Sequence, residues 1–283
     1  MKKIIITAFA GLLMGATAQA QTFEGVVKYN RVNDPSVRFA NNPNADRMRA
    51  QFGNMAEQAR RPIIYELTVK GEESVFKIDA RQDPGENTVV INGESRSFTR
   101  RLPKDETYYN VSDKTYKRYE EYAQQPFQLS GNFENLRWKV DPVSTREILG
   151  YTCMKATASE TENRTIPSFE DGKMNMRDTV ITNQIVAWFT DGIASNVGPD
   201  KYNGLPGLVL GVEINNGEVT YTATNIEKKA VTDADMKINS KGKKVTREQL
   251  DKLKKEHQAE QMKNFRGGPA AGGRPMIIMG GGN

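Results

Sequence analysis

The sequence predicts a mainly β protein, built as a single curved antiparallel sheet or half-barrel of about ten strands. Three observations carry this. Short runs rich in Val, Ile, Thr and aromatic residues alternate in polarity from residue 22 to residue 226. Gly, Asn, Asp and Pro punctuate these runs at short intervals, and almost no helical crossover separates them, which favours antiparallel neighbours. No fixed-period repeat is visible, which argues against a propeller or solenoid.

The elements follow in order. Residues 22–32 have the alternation and β-branched content of a first strand. The spacing then turns helical: Met48, Phe52, Met55, Ala56 and Ala59 share one face, predicting a helix near 43–61 that Asn42 or Asn44 caps and Pro62 stops. Strands are expected near 63–70, 74–79, 88–91, 107–111, 114–119, 136–140, 150–158, 179–190, 208–214 and 218–226. Between them lie turn residues at Gly71, Asp83-Pro84-Gly85, Asn92-Gly93, Ser112-Asp113, Asp141-Pro142, Asp191-Gly192 and Asn216-Gly217. The last is the clearest, because Asn-Gly supplies the positive φ values of a tight hairpin. Residues 231–244 read as a loop or extended edge, and Thr246 and Gln249 form a capping box that opens a helix near 246–265. Leu250, Leu253, His257 and Met262 mark a thin apolar face on that charged helix.

The chain has 283 residues, 37% hydrophobic and 27% charged, with mean hydropathy −0.65, which excludes membrane-embedded, collagen-like and wholly disordered classes. Residues 1–20 read as a signal peptide: Lys2 and Lys3 precede an apolar run too short to span a bilayer, and Ala18-Gln19-Ala20 is a small-x-small cleavage site. The expected organisation is therefore a signal peptide at 1–20, a β domain at 21–235, a basic helix at 236–265 and a disordered Gly/Pro-rich tail at 266–283. The expected location is the periplasm or cell envelope, in soluble form. Residues 21–225 carry 25 basic and 28 acidic groups, whereas residues 226–283 carry 13 and 7, so the positive charge is C-terminal. In that part Phe265 is the only aromatic, which argues against nucleic acid and leaves at most peripheral membrane contact or an acidic partner.

Most motif searches fail. One Cys and one His exclude a disulfide framework and a Cys/His zinc site within one chain. His257 sits among Lys254, Lys255, Glu256 and Glu260, a solvated context. Ser74 and Lys77 match S-x-x-K, but a strand points them to opposite faces. No catalytic residue, metal or cofactor is assigned, although folding can still assemble a carboxylate pair. Cys153 lacks a partner thiol in an oxidising compartment, and burial is its expected fate. Met276, Ile277, Ile278 and Met279 form an apolar island in the tail, suited to a groove or sheet edge of a partner.

The informative stretch runs from Gly198 through Pro199, Tyr202, Gly204, Leu205, Pro206, Gly207 and Leu208 to Leu210, a loop feeding a buried strand. Gly207 there allows either a positive φ or a close backbone approach. Gly204-Leu-Pro-Gly-Leu-Val209 resembles the motif of the GLPGLI family of exported Bacteroidetes-type proteins. Two further stretches resemble its pattern: Tyr151-Thr-Cys-Met-Lys-Ala156, which contains Cys153, and Ala187-Trp-Phe-Thr190, which contains Trp188. The resemblance covers about residues 148–214. It implies a curved sheet similar to the lipoprotein-carrier LolA kind around an apolar concavity, and an association with TonB-dependent outer-membrane transport. The expected function is thus an exported binding or carrier module for an apolar or peptide-like ligand. The alternatives are a carboxylate- or Cys-dependent hydrolase and a carrier presenting a processed or captured tail.

Overall fold

A computed structural model describes residues 22–39, 57, 60–91, 94–99, 102–170 and 173–266. The expected signal peptide, nearly all of the expected helix at 43–61, and the tail island Met276–Met279 lie outside the described residues. In chain order the elements are β1 (Glu24–Asn33), a 3-10 turn (Pro35–Phe39), β2 (Ile63–Lys70), β3 (Glu73–Ile78), β4 (Glu86–Ile91), β5 (Glu94–Thr99), β6 (Glu106–Asn110), β7 (Thr115–Tyr122) and β8 (Gln125–Asn132). There follow β9 (Lys139–Ile148), β10 (Tyr151–Glu170), β11 (Lys173–Thr190), β12 (Leu208–Ile214), β13 (Val219–Lys228), β14 (Lys243–Lys244) and the helix α1 (Arg247–Arg266). Twelve strands make one curved, unclosed sheet in the order β14-β8-β7-β6-β3-β2-β1-β13-β12-β11-β10-β9, while β4 and β5 form a separate hairpin. All pairings are antiparallel except β14 on β8.

Register sorts side chains onto two faces, since alternate residues of a strand point opposite ways. Tyr29 faces Tyr65, Leu67 faces Phe76, Phe76 faces Thr107, and Arg31 faces Tyr221. This is the inner face, where Val27, Tyr29, Leu67, Ala187 and Val212 are fully buried in the main core. Lys28, Glu66 and Lys77 occupy the outer face. A small second core of Val75, Val231 and Met236 forms there, where residues 229–241 cross the back of the sheet. A third, of Phe127, Leu129, Val245 and Leu250, holds α1 against the inner face at the β8 end.

The capping box forms as the sequence predicts: Gln249 N–H donates to Thr246 Oγ1 at 3.2 Å, and Thr246 N–H donates to Gln249 Oε1 at 3.0 Å. The docking face of α1 differs, because Leu250, Lys254 and His257 turn inward while Leu253 stays 37% exposed. His257 is half-buried, its Nδ1 3.1 Å from the Tyr122 hydroxyl. Tyr122 thus supplies a polar contact that a helix-only pattern does not show.

Four strand expectations change. β5 lies outside the expected strands. So does β8, because only Phe127 and Leu129 among its residues are apolar and buried. Asp141-Pro142 is a bulge inside β9, not a turn. The Asp141 carboxylate accepts the N–H groups of Val143 and Ser144 at 3.1 and 3.2 Å, and the register jumps from Asp141↔Lys155 to Thr145↔Met154. A proline bulge on this outermost strand also protects a sheet edge from pairing with another chain. Finally, β10 and β11 run for 20 and 18 residues. Beyond Thr157 and Ile185 they pair only with each other, forming a two-stranded arm. Its ion pair Lys255–Asp178 (2.6 Å) ties it to α1, so the two ends of the curved sheet approach one another. The Asn216-Gly217 turn has positive φ at both residues as expected, but Asn215 joins them, and the hairpin closes over four residues between Ile214 and Val219.

Candidate functional site on the inner face

After β11 the chain makes a long loop, residues 191–207, before entering β12. Its Ile193, Val197, Tyr202 and Leu205 lie within the main core at 4% exposure or less. The concavity therefore holds the chain's own side chains where an apolar ligand was expected. The glycines permit this fit. Gly207 does not adopt a positive φ; a Cβ there would collide with the Thr190 carbonyl, so close backbone approach is what the position requires. A Cβ on Gly198 would likewise strike the Tyr202 carbonyl. Asn203 staples the loop, its Oδ1 accepting the Gly198 N–H at 2.9 Å and its carbonyl accepting Trp138 Nε1–H at 3.0 Å. Pro206 is exposed at the loop surface.

The sequence-predicted residues do not meet at one place. Tyr202 and Leu205 enter the inner face, whereas register puts Cys153 and Trp188 on the outer face with Gly211 and Glu213. Tyr151 shares the parity of Cys153, and Gly204 and Leu208 flank the loop's entry into β12. On the outer face the Arg146 guanidinium lies 4.2 Å from the Trp188 ring centroid. Glu213 Oε1 accepts hydrogen bonds from Arg146 at 2.8 Å and from Trp188 Nε1 at 3.3 Å. A shallow cleft of about 280 Å³ opens over Gly211 beside this group. Cys153 is fully buried, and burial pushes its thiol up to about 11, so it stays protonated and weakly nucleophilic.

The inner face carries a second polar group that motif searching missed. Arg118 donates to Asp105 Oδ2 at 2.6 Å and to Glu120 Oε2 at 3.2 Å, and Lys254 of α1 pairs with the other Glu120 oxygen. These four charges neutralise one another. Arg31 is different. Its Nε donates to the Tyr221 hydroxyl at 3.2 Å, yet among the described residues no carboxylate forms an ion pair with it. Asp200, held at φ 53° in the loop, likewise has no cation in ion-pair contact among the described residues. Its charge acts on Arg118 and Asp105 as well as on Arg31, Tyr65, Tyr109, Tyr202 and Tyr221, which places it opposite the inner-face strands.

The rings of Tyr65, Tyr109, Tyr202 and Tyr221 are buried. The hydroxyls of Tyr65, Tyr109 and Tyr202 find no hydrogen-bond partner among the described residues, and none is among the side-chain atoms sealed from solvent without a partner. Those hydroxyl oxygens therefore keep a small contact with solvent. Burial pushes Tyr65 up to about 12 and the other three higher still, so all four remain protonated donors. Burial lowers Arg31, but Tyr221, Tyr65 and Asp200 outweigh it, and its charge is secure. Beneath the loop the buried Nδ2 of Asn203 also lacks a partner.

Strand parity was the signal that would have found this group. Arg31 follows Val27 and Tyr29 at alternate positions, and Arg118 follows Tyr116, so each puts a cation on an apolar face. Among the described residues no group of three or more His, Cys, Asp or Glu is disposed to hold a metal ion. No described helix is long and apolar enough to cross a membrane.

Two structures of PNGF-II, in the P21 and C2 space groups, are similar to this chain at TM-score 0.48, with 13% and 14% identity over 82% of the chain. The match takes in 33% and 32% of those chains, so this chain spans about a third of the length of the solved structures it matches. No curated protein matches it. The model of a family described as "Protein of unknown function (Porph_ging)" matches residues 138–211, a segment that includes Cys153, Trp188, Asp200, Tyr202 and the Gly204–Gly207 loop but stops short of Arg31, Tyr65, Tyr109 and Arg118.

Proposed function

We propose that this chain is an exported, non-catalytic binding module of the cell envelope that seats a small polar ligand on the inner face, beside Arg31 and its tyrosine neighbours. The observation that carries the reading is Arg31, half-buried and without an ion pair among the described residues, set near tyrosine hydroxyls without partners. Buried polar groups are ordinarily hydrogen-bonded within the protein, so an unfilled set that opens to solvent is the mark of a ligand seat. The Tyr202 and Leu205 side chains fill the apolar part of the concavity, which favours a polar ligand over an acyl chain. The resemblance to GLPGLI proteins and the signal-peptide pattern support an envelope location. They also make an outer-membrane transporter of the TonB-dependent type the natural partner. Cys153, buried and protonated, disfavours the thiol-hydrolase alternative.

Native mass spectrometry of the protein purified from its own envelope tests this. The mature chain is expected to begin at Gln21 and to carry a small-molecule adduct that Arg31→Gln removes. A wild-type preparation free of any adduct, or an adduct indifferent to Arg31→Gln, overturns the reading.

A further inference from the structure

We propose that α1 is a detachable strap across the open end of the curved sheet, with the Lys255–Asp178 ion pair as its clasp. The strap governs access to the inner face beside Arg31, and it rests on the binding reading above only for what passes beneath it.

Register locates that open end. Arg31 lies near the last pairs of β1, Asn33 stands opposite Val219, and the pairs Val219↔Ile214 and Ile214↔Ile185 lead from there to the root of the β10–β11 arm. In the other direction Arg31↔Ile63, Tyr65↔Ile78, Lys77↔Glu106 and Glu106↔Tyr119 carry the same end across to Tyr122. Six strands separate β7 from β11 in the sheet, yet α1 touches both. Lys254 pairs with Glu120 of β7, and His257 meets the Tyr122 hydroxyl at 3.1 Å. Lys255, the next residue after Lys254, reaches Asp178 on β11 at 2.6 Å. Adjacent residues of one helix thus hold opposite sides of the opening.

The strap is unevenly fastened. Its first turn is fixed by the capping box and by Leu250, the one buried apolar residue among the described side chains of α1. The Lys254 and Glu120 side chains are only 14% and 4% exposed, whereas those of Lys255 and Asp178 are 58% and 62% exposed. Salt screens the exposed pair far more than the sealed one, and exposed pairs are weak to begin with. On the arm side Thr165 Oγ1 donates to Asp178 Oδ1 at 2.7 Å, leaving Oδ2 to Lys255. The arm pairs only with itself beyond Thr157 and Ile185, and a two-stranded ribbon is marginal alone. Fixed at β7 and lightly latched at β11, α1 parts from the arm when the clasp opens.

Hydrogen exchange read by mass spectrometry on the full mature chain, with no ligand added, tests the strap. Raising sodium chloride from about 20 mM to about 0.5 M screens the clasp. It should speed exchange in residues 254–261 and in the arm about two- to fivefold, while β1, β2 and β7 keep their protection. Asp178→Asn at low salt should give the same pattern, and the charge swap of Lys255→Asp with Asp178→Lys should restore wild-type protection. Exchange in α1 indifferent to salt and to Asp178→Asn overturns the strap. So does a swapped protein as open as Asp178→Asn, or a loss of protection spread through the whole sheet, since the pair would then hold the fold and not the opening. An adduct-free protein overturns the binding reading and leaves a responsive clasp standing. An unresponsive clasp leaves an Arg31-dependent adduct, and that reading, intact.

Discussion

The two faces of the sheet are built from the same kinds of residue and end in opposite states. On the outer face Trp188, Arg146 and Glu213 complete one another: the guanidinium covers the indole, and one carboxylate oxygen accepts from both. On the inner face Arg31, Asp200 and three tyrosine hydroxyls stop short of completion. Aromatic and charged residues thus do not mark a site by their type. The two faces differ in whether each donor and acceptor already has its partner, because satisfied groups stabilise the fold and open ones are left available to a ligand.

The comparison breaks most visibly at Trp188. Trp188→Ala removes a large buried ring and strands Arg146 and Glu213, so urea denaturation should show a loss of about 3–5 kcal/mol. Arg31→Gln on the other face should change stability by no more than about 1 kcal/mol. Equal losses would mean that the inner cluster is as structural as the outer one.

A smaller effect tests the loop that carries Asp200 and Tyr202. Gly207→Ala drives a methyl group into the Thr190 carbonyl and should cost about 2–3 kcal/mol by overpacking. Gly150→Ala meets open space and only the strain of φ +78°, about 1 kcal/mol. A melting temperature for Gly207→Ala above that of Gly150→Ala would show that the close approach seen here is easily relaxed.

The smallest expected effect concerns pH and an outer-face cluster of Lys28, Glu66, Asp79 and Arg81. Burial pushes the Asp79 carboxyl up, but hydrogen bonds from Lys28 at 2.8 Å and Arg81 at 3.1 Å outweigh it and hold it well below the usual carboxylate range. Because the folded value lies below the unfolded one, near 3.9, the stabilisation is complete above about pH 5. It is lost as pH falls below about 4. Arg81 is largely exposed and screened, so the loss should be about 1–2 kcal/mol. Asp79→Asn should lower stability at neutral pH and flatten the acid limb of a plot of melting temperature against pH. An unchanged acid limb would show that Asp79 contributes nothing through its charge.

Strand parity in β1, β2 and β3 was readable because each has one buried face, and Tyr29, Leu67 and Phe76 fall on it at alternate positions. The arm of β10 and β11 was shortened in the reading because Thr, Ser, Glu and Asn appear on both of its faces, and a two-sided polar ribbon has no hydrophobic period to detect. The docking of α1 was legible in its cap and in Leu250 but not in Lys254, whose role depends on Glu120 arriving from a strand more than a hundred residues away. Of the candidate site, Tyr202 was named from the motif, while Arg31, Tyr65, Tyr109, Arg118 and Asp200 were not.

By itself the sequence determined the β class, most strand positions, the Asn216-Gly217 reversal and the capped C-terminal helix. All of these follow from local rules: side-chain alternation, φ preference and capping act within a few residues of one another. Only the tertiary structure decided that the motif residues divide between two faces, that the loop fills its own concavity, and that Tyr202 of that loop packs against Tyr221, the hydrogen-bond partner of Arg31 on the first strand. Pairing and its absence are relations between distant segments, set by sheet order and register, and no stretch of sequence carries them alone.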